Sequence, residues 1–280
     1  MRRGHTLNFW ARFHQARWYW RLPLKGLLLG LTILAVCYPN PSVLARHLRH
    51  IRDPDAMIQA DAPPLAPLLA DLRPRLQEAG TARAVLDTVE QYVCTTIDYA
   101  YDWETWGVVD YLPTVEEVVS SGREDCDGRA LLAASLLRGL GYEARLVADG
   151  AHVWVWTPQG ETMNPNPQET LRATTGGVHI DWTAWRTLPR ALGFGLAIFP
   201  LGREVIVAAV LLLILLHPRI KPLQAGTCAV LLGTALALVR CGGKTWDAPV
   251  LWMQLAGLAC LLAAVILGPV GQKPRQATCE

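Results

Sequence analysis

A chain of 280 residues, 51% hydrophobic, with 11 tryptophans and a formal charge of +2, is long enough for one folded core and carries more apolar residues than that core needs. The near-neutral mean hides a division: Asp53 to Trp185 holds 21 acidic and 8 basic residues and no lysine, while the flanks hold 18 basic and 3 acidic residues. An acidic middle without a basic patch excludes nucleic acid as a partner, and apolar flanks with cationic borders point to membrane spans around a soluble domain.

Residues 1–25 contain six basic residues, no acid, and Trp10, Trp18, Tyr19 and Trp20, the makeup of a basic cytoplasmic tail with an interfacial aromatic belt. The apolar run that follows, Gly26 to Tyr38, is short for a span of roughly 20 residues. A first transmembrane helix over 26–45 therefore draws on the residues before it, with Arg21 and Lys25 snorkelling. A secretory signal peptide is the alternative, and Tyr38-Pro39-Asn40-Pro41 is a poor cleavage site for one. Residues 46–80 are rich in proline and leucine and read as a linker with an amphipathic segment. Arg46, Arg49 and Arg52 form a stripe on one helix face, set on lipid headgroups or simply solvated.

The domain proper is expected over 81–185. Thr81 caps a helix whose inner face is Val85, Val89, Tyr92, Val93 and Thr96. An aromatic loop (Tyr99, Tyr101, Trp103, Trp106) leads to Thr114-Val115-Glu116-Glu117, which has capping-box spacing and opens a short helix ending at Gly122. The apolar run Ala130 to Leu137, bounded by Gly128, Gly139 and Gly141, predicts a buried helix with Cys126 at its first turn. Leu146 and Val147 predict a strand paired with the alternating Ala151-His152-Val153-Trp154-Val155-Trp156, a small antiparallel sheet behind that helix.

Beyond the domain, 186–217 is expected to hold an interfacial segment and a second span (Leu201 to His217). Two more spans, 223–239 and 249–270, precede a tail over 271–280. Arg203-Glu204 reads as a snorkelling pair at the head of the second span. Four spans put both ends on one side, so a cytoplasmic start leaves the acidic domain facing outward.

Cys126, at a helix start, sits where unpaired N–H groups and the positive end of the helix favour a thiolate. His152 on its strand is the candidate base, ahead of His179, and Asn164 the candidate orienter, ahead of Asn166. Seven cysteines without close pairing suit neither a zinc set nor a disulfide framework, and Cys94 reads as a free structural thiol.

Gly122-Arg123-Glu124-Asp125-Cys126-Asp127-Gly128, the leucine-rich helix, Gly141-Tyr142-Glu143-Ala144-Arg145, Ala151-His152-Val153-Trp154 and Asn164-Pro165 together resemble the core signature of the transglutaminase-like superfamily of cysteine acyl-transfer enzymes and peptidases. The resemblance runs over roughly Ala82 to Asn166. It implies an α+β, papain-like domain inserted between about four transmembrane helices, with Cys126 as nucleophile, His152 as base and Asn164 where the family usually has aspartate. An asparagine can still accept the imidazole N–H but cannot offset charge on the ring. The Cys126 backbone N–H and a side chain of Trp103, Trp106 or Tyr111 are expected to form the oxyanion hole. The implied activity is acyl transfer or hydrolysis at peptide or carboxamide bonds, at a bacterial inner membrane with the domain extracytoplasmic. The expected partners are a protein or peptide substrate and membrane lipid, and no metal or organic cofactor is implied. The competing expectation is a catalytically inactive domain kept as a membrane-tethered binding or assembly module.

Overall fold

The computed structural model describes residues 18–148, 152–164, 184–216, 220–245 and 249–268, so His179, Asn166 and both expected tails lie wholly or largely outside the described residues. The chain forms two compact units, one of residues 1–36 with 190–280 and one of residues 37–189. The first opens with α1 (Trp18–Cys37), a helix of 20 residues that starts and stops earlier than the expected 26–45. It takes in the aromatic residues at its start and ends just before Pro39 and Pro41, because neither proline can donate to a helical ladder.

Asn40 opens the second unit's first helix, α2 (Pro41–His50), by accepting the Ser42 N–H at 3.0 Å, with proline at the first helical position. After a 3-10 turn (Pro54–Met57) comes α3 (Leu65–Leu76). These helices correct the expectation of a linker over 46–80. Leu65, Leu69 and Leu72, spaced for one helix face, are buried in the main core, and the prolines between and around them had masked that period. The Arg46 side chain, still 43% exposed, does more than face solvent: its guanidinium pairs with Glu117 at 2.7 Å and lies over the Tyr111 ring.

Local signals set the next elements. Thr81 Oγ1 accepts the Ala84 N–H and starts α4 (Ala82–Thr96), which buries Leu86, Val89, Tyr92 and Val93. The aromatic loop contains the two-residue strand β1 (Asp98–Tyr99) and one helical turn, α5 (Asp102–Thr105). Thr114 and Glu117 form a reciprocal capping box at α6 (Val115–Ser121), and Gly122 closes it at φ 67°, where a side chain would be strained. The chain then runs through β2 (Arg123–Glu124), parallel to β1, into α7 (Cys126–Gly139).

α7 is the centre of this unit. Ala130 to Leu137 are all fully buried, so the helix is enclosed on every side, against α3, α4, α6 and the sheet. The sheet has the order β3 (Arg145–Ala148), β4 (Val153–Thr157), β5 (Gly160–Thr162), all antiparallel, with Val147 opposite Trp154. Gly141, at φ 87°, lets the chain leave α7 sharply toward β3.

The remaining helices are α8 (Ala184–Ile198), which belongs to the first unit from Arg190 onward, and α9 (Leu201–Leu215), α10 (Pro222–Gly243) and α11 (Leu251–Leu267) of that unit. Among the described residues, two helices are long and apolar enough to cross a membrane, over Tyr19–Cys37 and Pro222–Gly243, and Arg190–Ile198 with Leu201–Leu215, bent by 107°, makes a third candidate if the pair counts as one. These residues therefore support two or three of the expected four spans, and α11, at 17 residues, is a shorter apolar helix. α10 and α11 pack through small residues: a β-carbon on Gly257 would lie 2.9 Å from the Ala235 carbonyl oxygen. Nor are Arg203 and Glu204 partners. Glu204 pairs with Arg240 of α10, while Arg203 reaches the Val36 carbonyl.

Candidate active site

Asp125 caps α7 by accepting the Asp127 N–H, which puts Cys126 at the first helical position. The backbone N–H of Val153, the first residue of β4, acts on the Cys126 thiol in the sense that favours its thiolate, so the sulfur lies near the start of the strand next to His152. His152 precedes that strand. Its ring stacks on Trp154 at 6.3 Å and 10°, and its Nε2 lies 2.8 Å from the Met163 carbonyl oxygen. With Nε2–H donating there, Nδ1 carries the lone pair that a base needs. Met163 holds φ 62°, unusual for a side-chain-bearing residue, and Glu90 fixes it by accepting its N–H at 2.8 Å.

Asn164 follows directly and donates from Nδ2 to Glu161 Oε2 at 2.7 Å, on an open polar groove shared with Arg83, Glu90 and Cys94. The carbonyl of Met163, which sequence reasoning missed, is thus an orienter of the ring. Asparagine at 164 has a reason of its own, since an aspartate there would face the Glu161 carboxylate. Asn164→Asp is expected to cost about 1 kcal/mol of stability, recovered in the double variant with Glu161→Gln and read by thermal melting.

The electrostatics reverse one expectation. Burial pushes the Cys126 thiol well above its usual range, and the Asp125, Asp102 and Asp110 carboxylates push the same way, against the Val153 N–H. Burial of the thiol and the acids gathered round it, of which Asp102 alone is itself buried, outweigh the helix end. Burial first, then Asp125 and Glu124, raise Asp102 to about 10, and burial raises Glu124 to about 8 although Trp106 donates to it. Asp127 is likewise raised, first by burial and then by Asp125. One carboxylate oxygen each of Asp102, Glu124, Asp125 and Asp127 lies within 4.8 Å of the others, a set able to hold a metal ion. The Asp-Cys-Asp run was its only trace in the sequence.

Two of the expected oxyanion donors are already committed. Trp106 Nε1 donates to Glu124 Oε1 at 2.5 Å, and the Tyr111 hydroxyl donates to the Glu117 carboxylate. Trp103 stacks on Tyr101 at 4.3 Å, and Tyr101 meets Tyr99 edge-on. Tyr99 is close enough to Cys126 and Asp125 that their charges, after burial, raise its phenol. Cys94 is a free, exposed thiol, with Arg129 Nη1 4.0 Å from its sulfur.

On the α2 side, His47 is buried, accepts the Leu112 N–H through Nδ1 at 3.2 Å, and points Nε2 at Asp110, 3.7 Å away. Burial lowers its pKa and His50 adds to this, with Asp110 opposing. A histidine whose folded pKa is depressed gives up stability as pH falls from its ordinary value of 6.5 through the lower folded value. The stability advantage of the wild type over His47→Gln is therefore expected to be full at pH 7.5 and to shrink toward pH 5, as measured by melting at each pH.

The sequence model described as the transglutaminase-like superfamily matches residues 71–179. No curated protein and no solved structure matches the chain. The matched segment takes in α7 with Cys126, β4 with His152 before it, and Asn164 after β5. Residues 71–179, the greater part of the acidic middle, are a match to the transglutaminase-like superfamily.

Proposed function

We propose that the chain is a membrane-bound cysteine enzyme in which Cys126 attacks a peptide or carboxamide carbonyl, His152 takes the thiol proton through Nδ1, and the acyl group passes to water or an amine. The observation that carries this reading is the placement of Cys126 at the first position of α7, near enough to the Val153 N–H, next to His152, for that N–H to favour its thiolate. The Met163 carbonyl orients the ring in the tautomer a base requires, and Asn164 supports that turn from the following position. In this reading the apolar helices hold the domain at a membrane, with the domain on the extracytoplasmic side.

A second reading, a non-catalytic module for binding or assembly, has one observation in its favour: the carboxylates around Cys126 disfavour the thiolate. Alkylation of the full chain in native membranes by a chloroacetamide glutamine analogue, read by peptide mass spectrometry, separates the two. The enzyme reading expects modification at Cys126 that falls sharply in His152→Ala. Modification of Cys94 with none at Cys126 would favour the module.

A further inference from the structure

We propose that the carboxylates of Asp102, Glu124, Asp125 and Asp127 form a binding site for one calcium ion at the start of α7. The four oxygens lie within 4.8 Å of one another although they come from three elements: α5, β2 and the first turn of α7. Calcium takes roughly six to eight oxygen ligands in a flexible geometry, carboxylates among them, whereas magnesium keeps several waters and is held by one or two carboxylates. Four carboxylates gathered in one place suit calcium.

A second observation is independent of the clustering. Asp102 is 1% exposed; its Oδ2 accepts the Tyr111 N–H at 2.6 Å, while its Oδ1 is buried with no hydrogen-bond partner. An ionised oxygen in that position needs a donor, and a protonated one needs an acceptor for its O–H. A cation among the four carboxylates meets that demand. Among the described residues, no arginine, lysine or histidine forms an ion pair with any of the four.

The bonds these groups do make fix them in place and leave lone pairs over. Glu124 accepts from Trp106 Nε1 and from the Asp125 N–H, Asp125 Oδ1 accepts from the Asp127 N–H, and Asp127 Oδ1 accepts from the Gly128 N–H. Helix capping accounts for Asp125 and Asp127. It does not account for Asp102, a buried acid brought in from α5, or for Glu124, buried one residue before the cap.

The test uses the full chain in detergent, stripped with a chelator and titrated with terbium while the tryptophans are excited. Trp106, bonded to Glu124, is the antenna. The expected result is saturable terbium luminescence at one ion per chain, reversed by calcium, with affinity lower by about tenfold or more in Asp102→Asn and in Glu124→Gln. Calcium should also raise the melting temperature of the wild type and of Cys126→Ala alike, which separates this site from the chemistry of the thiol. The proposal falls if equilibrium dialysis finds no saturable calcium binding to the wild type, or if both variants bind as tightly as the wild type.

Discussion

His152→Ala is expected to lower turnover of a glutamine-containing peptide by about 10²–10⁴-fold, the range that a positioned general base contributes, and Cys126→Ala is expected to abolish it. Both residues are only partly buried and neither belongs to the packed interior of α7, so the melting temperature should change little in either variant. Of the two, His152→Ala is the more informative. It leaves the thiol at the start of α7 in place, and a drop in turnover then isolates proton removal from the mere presence of sulfur. If turnover survives in His152→Ala, the proton leaves by another route and the assignment of the base fails. If Cys126→Ala also keeps its activity, the thiol is not the nucleophile.

The second large effect lies in the interior. Leu136→Ala is expected to destabilise the acidic unit by about 2–5 kcal/mol, the lost transfer energy of the side chain plus the cavity left behind. Leu136 is fully buried on a helix whose every face is covered, so no surface loop can settle into the gap. Such a loss is a large share of a typical domain's stability of about 5–15 kcal/mol. Leu48 on α2, which is 48% exposed, is the control: truncating it should cost no more than about 0.5 kcal/mol. Chemical denaturation followed by tryptophan emission measures both. Equal effects at the two positions would contradict the enclosure of α7.

Features decided within a few residues were legible in the sequence. The Thr81 and Thr114 caps, the helix stop at Gly122, the burial of Ala130 to Leu137 and the pairing of the Leu146–Val147 strand with the one beside His152 all follow from spacing of four residues or fewer, or from strict alternation. So did the resemblance at Cys126, His152 and Asn164, because the signature is itself local. What escaped was whatever depends on residues meeting across the fold. Prolines around Leu65 and Leu72 disguised a helix as a linker, and Glu204 chose Arg240 over its neighbour Arg203. The surroundings of Cys126 were the costliest omission. A helix start promises a stabilised thiolate, and only the folded chain brings Asp102 from α5 and buries it with Glu124 beside that same turn.

Gly128 carries a consequence for how this protein can change over generations. A β-carbon there would stand 2.7 Å from Glu124 Cγ and 2.8 Å from its carboxylate carbon, in the space the acid occupies while it holds Trp106. No residue is intermediate between hydrogen and methyl, so drift at this position has no gradual path. A lineage that abandons glycine must redesign its acid and its indole in the same step, and the three positions are inherited as one unit.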